Sequence, residues 1–130
     1  MTQKTDTKKM SDELKAAADA AITMAKQQRG IASMATDPET HENAIKTAYH
    51  YVGVAIALRM FADRYQYINE TATYDLVQDL IDQGMTAELQ ADTAHTLNIP
   101  EQEMTYRGTA ECCFQLKDRI EKGQWRKEEQ

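Results

Sequence analysis

An all-α fold is what this sequence predicts, a single-domain helical bundle of about five helices around a long central hydrophobic helix at 37–68, and three observations predict it. The stretch YVGVAIALRMFA at 51–62 is too continuously apolar for a helix with one wet face, so it belongs among neighbours. Around it run two stripes at helical spacing, Ile45, Tyr49, Val52, Ile56 and Met60 on one side and Val54, Leu58, Phe61, Tyr65 and Ile68 on another. The remaining apolar segments are joined by short turns, with no internal repeat and no low-complexity linker. At 130 residues, with 42% hydrophobic and 28% charged, the chain suits one core.

Residues 1–10 are polar, mixed in charge and without periodicity, and read as a flexible arm. The bundle domain then occupies 11–123. Ser11 is placed to cap a first helix over about 12–29, whose contact face is Leu14, Ala17, Ala18, Ala21, Ile22 and Ala25. Methyl groups bury little area each, at about 25 cal/mol per Å², so this helix depends on close approach. Gly30 is expected to end it. The clearest local signal is TDPE at 36–39, where Asp37 caps, Pro38 takes the first helical position and Glu39 complements the dipole. Gly53 costs the central helix about 1 kcal/mol relative to alanine, which close contact with the alanine face of the first helix would offset.

Asn69–Thr73 reads as a turn, followed by a short helix over about 74–83 that Gly84 ends. Thr86 starts another over about 87–97, which Asn98 and Pro100 stop. The last helix runs to Lys122, with Gly123 terminating it. The tail, 124–130, holds Trp125, which folds back on the bundle in a monomer or anchors an interface in an oligomer.

Formal net charge is −6, but its distribution is more informative. From Tyr65 to Tyr106 there is no lysine or arginine, while Glu70, Asp75, Asp79, Asp82, Glu88, Asp92, Glu101 and Glu103 are all acidic. The longest apolar run is about a dozen residues against the roughly 20 that a bilayer demands, so no membrane crossing is expected. The opening MTQKTDTKKMSDE has no apolar segment behind its lysines, unlike a secretory leader, and a cytoplasmic location follows. The adjacent Cys112 and Cys113 point about 100° apart on a helix and give neither a disulfide framework nor a metal motif.

Three function classes are open. Glu88, Asp92 and His95 share one helical face and, with His50, could hold a metal ion in a helical-bundle enzyme. No Glu-x-x-His occurs, and no cofactor is otherwise called for. Paired carboxylates could also serve a magnesium-dependent phosphohydrolase, although the 65–106 interval has no cation for its phosphates. Residues 86–110 have the rhythm of a helix-turn-helix, but the second helix offers Glu101, Glu103 and one arginine, Arg107, so phosphates would be repelled and nucleic acid is disfavoured. The leading expectation is a non-enzymatic regulator, inhibitor or immunity-type adaptor, a homodimer that meets a basic protein partner. Its contact residues would be Asp75, Asp79, Asp82, Tyr74, Tyr106 and Trp125.

Overall fold

The computed structural model describes residues 3–128 as four long helices. They are α1 (Thr7–Met34), α2 (Pro38–Tyr65), α3 (Thr73–Thr96) and α4 (Pro100–Glu121). A two-residue strand β1 (Lys4–Thr5) pairs antiparallel with β2 (Thr71–Ala72), Lys4 opposite Ala72 and Thr5 opposite Thr71.

Cross-contacts fix the arrangement. Ala32 meets His41 while Ser11 meets Ala62, so α1 and α2 form one antiparallel hairpin. Gly84 meets Phe114, Asp92 meets Arg107 and His95 meets Glu103, so α3 and α4 form a second. The hairpins join through α2 and α4, which run parallel, with Gly53 against Thr105 and Gly108 against His50. The backbones of α1 and α3 stay apart, and their side chains meet in the shared core. The large side chains of the core, Met10, Leu14, Phe61, Leu76, Leu80, Leu116 and Ile120, gather at the end where all four helices meet.

Two of the five expected helices are one. The helix continues through Gly84 because the glycine is a notch: a methyl group there would lie 2.7 Å from the Phe114 ring. Gly30 likewise fails to end α1, which runs on until Ala32 is buried and its carbonyl accepts a hydrogen bond from His41 Nδ1 at 2.8 Å. The close partner of Gly53 is α4, not the alanine face of α1. A Cβ on Gly53 would overlap the Thr105 carbonyl oxygen, and one on Gly108 would overlap that of His50. These reciprocal glycines let two helix backbones touch.

Residues 3–10 are part of the fold rather than an arm; the rest of the expected arm lies outside the described residues. Asp6 caps α1 by accepting from the Lys9 amide at 3.0 Å, and Thr7, Met10 and Ser11 are buried. Ser11 therefore sits inside the helix, its hydroxyl donating to the Ala62 carbonyl. Thr5 bonds Thr73 at 2.8 Å between hydroxyls, and the Asp6 amide donates to the Trp125 carbonyl at 2.6 Å. Trp125 is buried at 8% exposure, with Arg119 4.9 Å over its ring and its indole N–H donating to Glu13. It adopts φ 61°, a costly conformation for a non-glycine residue that these contacts impose. Of its two readings, the structure has the fold-back; the ring is not on offer to a partner.

The start of α2 agrees with the sequence. Asp37 accepts from the Thr40 amide and hydroxyl at 2.9 Å each, which holds its carboxyl below the usual range.

Candidate functional site

Helix α3 turns Leu76, Leu80, Gly84, Ala87, Ala91 and Ala94 inwards, spaced by threes and fours. At 3.6 residues per turn, the opposite side centres on Leu89, with Tyr74, Asp75, Asp82, Met85 and Asp92 within about 60° of it. Leu89 is 68% exposed, Tyr74 69% and Met85 54%, and the three aspartates are exposed as well. Large apolar groups thus stand in water beside carboxylates on a single rigid helix.

Not all of the acidic interval is uncompensated. Glu70 is held by Lys4 at 3.1 Å and Lys127 at 3.5 Å, and these cations, Lys4 foremost, draw its carboxyl below the usual range. Glu103 lies 3.0 Å from both His95 and Arg107, with the same effect. Asp79 leaves the outward face altogether. It pairs with Arg64 and accepts from the Tyr65 hydroxyl at 2.9 Å, and burial followed by this bond pushes Tyr65 up to about 12. Asp75, Asp82, Glu88 and Glu101 have no ionic partner among the described residues, and three of these four are on α3. The negative field is therefore narrower than the sequence interval, and concentrated on this helix.

No family model matches this chain, and no curated protein or solved structure matches it. Its surface chemistry has to speak for it.

The sequence-predicted residues divide cleanly. Tyr74, Asp75 and Asp82 share the outward face of α3; Asp79 and Trp125 are engaged internally. Tyr106 is half-buried on α4 and lines a shallow trough with Leu89 and Leu97. The metal set does not assemble. His50 Nε2, on α2, pairs with Glu111 at 2.9 Å, His95 Nδ1 with Glu103 at 3.0 Å, and Asp92 with Arg107 at 3.4 Å. Glu88 is exposed, and among the described residues no three His, Cys, Asp or Glu side chains are grouped as metal ligands. The 86–110 segment is the tip of an antiparallel hairpin rather than a helix-turn-helix crossing.

Nucleophilic chemistry has no foothold at the thiols. Both cysteines are free and buried, and burial pushes Cys112 up to about 12 and Cys113 up to about 11. A notch of about 180 Å³ between the starts of α2 and α4 holds His41, Lys46, Tyr49 and Glu101, below the ~300 Å³ at which small-molecule pockets begin.

Met85 and Leu89 were not singled out by the sequence. Breaking the helix at Gly84 placed Asp82 and Leu89 on separate elements, so their common face was invisible. An unbroken helical wheel over 73–96 would have shown it.

Proposed function

We propose that this protein acts by binding another protein, as a regulatory or adaptor module without catalysis of its own, and that the outward face of α3 is its contact surface. One observation carries the reading: Tyr74, Met85 and Leu89 stand exposed on the helix face that carries Asp75 and Asp82, which have no ionic partner among the described residues, with no lysine or arginine from Tyr65 to Tyr106. Apolar contact supplies affinity and uncompensated carboxylates select a cationic partner surface and speed encounter. Self-association belongs to the same reading. So does a reducing compartment such as the cytoplasm, which suits two unpaired thiols; no described helix is long and apolar enough to cross a membrane.

Affinity capture from native lysate tests the proposal. Wild type is compared with the double variant Asp75→Lys, Asp82→Lys, both at exposed positions. The expected result is at least about a tenfold loss of captured partner in the variant, and a wild-type capture that weakens with salt. Equal capture by both, with circular dichroism showing both folded, counts against this face.

A further inference from the structure

The stripe of α2 that the sequence read as a contact surface is only half covered. Between α1 and α2 lies an open trough of about 580 Å³, floored by Ile22, Ala25, Val52, Ala55, Ile56 and Met60. Ile22 is 44% exposed and Ile56 49%. Its rim carries Lys26, Arg29 and Arg59 against a single carboxylate, Asp63. Arg59 pairs with Asp63 at 3.3 Å; Lys26 and Arg29 have no carboxylate partner among the described residues, and Arg29 lies 5.6 Å over the Tyr49 ring.

A trough open along one side between two parallel ridges fits a rod better than a compact ligand, since small-molecule sites enclose most of their ligand. Its length is set by α2. Val52 to Asp63 spans about 17 Å at 1.5 Å per residue, and Asp82 to Asp92 on α3 spans about 15 Å. That α3 segment presents apolar groups with carboxylate flanks, the complement of an apolar floor with cationic rims. Symmetric alternatives fail on charge. Trough against trough would bring the unpaired Lys26 and Arg29 towards the rim cations of the other copy, and α3 against α3 would do the same with the unpaired carboxylates Asp75, Asp82 and Glu88.

We infer that the trough between α1 and α2 receives the outward face of α3 from a second copy of this chain, in a head-to-tail contact. The inference rests on the proposed role of the α3 face and names one occupant for it. The contact surfaces differ, so a pair joined by one contact retains one free trough and one free α3 face, on different copies, and association proceeds to a ring or an open chain.

Analytical ultracentrifugation of the purified full chain tests it with two exposed-site variants, Ile56→Glu in the trough and Leu89→Glu on α3. Wild type is expected to associate with rising concentration, more weakly at high salt. Each variant alone is expected to lose association by at least about tenfold, while an equimolar mixture forms a one-to-one pair, because each supplies the half the other lacks. Lys26→Glu with Arg29→Glu serves as a second trough variant and is expected to behave like Ile56→Glu. A wild type that stays monomeric at millimolar concentration overturns the inference. So does a mixture that stays monomeric, or an association that Leu89→Glu leaves intact. None of these outcomes touches capture of a foreign cationic partner, which Asp75→Lys, Asp82→Lys probes separately.

Discussion

The two hairpins are built alike and finished differently. In α1–α2 the seam is alanine on both sides, with Ala18, Ala21, Ala25 and Ala32 buried near Ala44, Ala48, Ala55 and Ala62. In α3–α4 it is Gly84, Ala87, Ala91 and Ala94 on one side, with the ring of Phe114 filling the glycine notch. Small seams bring backbones close but leave larger apolar side chains outside. On the first hairpin these are Ile22 and Ile56 beneath cations; on the second they are Met85 and Leu89 between carboxylates. The same packing economy thus yields two unlike surfaces, one concave and basic at its rim, one convex and acidic.

The sharpest break of this comparison lies where the hairpins join. Gly53→Ala or Gly108→Ala puts a methyl group into a facing carbonyl that cannot rotate away, 2.8 Å from the Thr105 carbonyl carbon in the first case. Each is expected to cost about 3 kcal/mol or more, read as a fall in urea midpoint. The buried thiols come next. Their folded pKa values lie above the ordinary 9.0, at about 12 for Cys112 and about 11 for Cys113, so the folded state holds its protons longer than the unfolded one. Their contribution is whole below pH 9 and is lost as pH rises towards 12. Stability measured against pH should fall across that window, and less steeply in a Cys112→Ala variant.

Smaller changes separate structural from free carboxylates. Asp79→Asn weakens its bonds to Arg64 and Tyr65 and is expected to cost about 1 to 2 kcal/mol, whereas Asp75→Asn stays within about 0.5 kcal/mol. Thermal melts of the two variants check this. The glycines of α1 and α3 make the last contrast. Gly84→Ala must displace the Phe114 ring, an adjustable side chain, and should destabilise by about 1 kcal/mol after the gain in helix propensity. Gly30→Ala meets nothing within 4 Å and should stabilise by up to about 1 kcal/mol.

Local signals were legible in the sequence and pairwise ones were not. Asp37 and Pro38 announce α2 because a cap and a first-turn proline act within one turn, and Asn98 at φ 57° ends α3 where its short side chain favours that conformation. Glycine is ambiguous by nature: Gly84 reads as a stop until Phe114, thirty residues on, is known to fill it. The start of α1 was missed for the same reason, since Thr5, Thr7 and Ser11 are fixed by partners at Thr73, Ile68 and Ala62. For the candidate site, the sequence supplied its charge and three of its residues. Helical spacing marks Ile56 and Leu89 as apolar without saying whether anything covers them, so exposure had to come from the fold.

Methionine oxidation footprinting tests the central claim most directly, because methionines report on each surface separately. Met85 lies on the outward face of α3, Met60 in the trough, and Met34, 83% exposed at the end of α1, on neither. With rising protein concentration, oxidation of Met85 and Met60 should slow together while Met34 stays constant. Unchanged rates at Met85, or protection of Met34 in its place, would contradict the account.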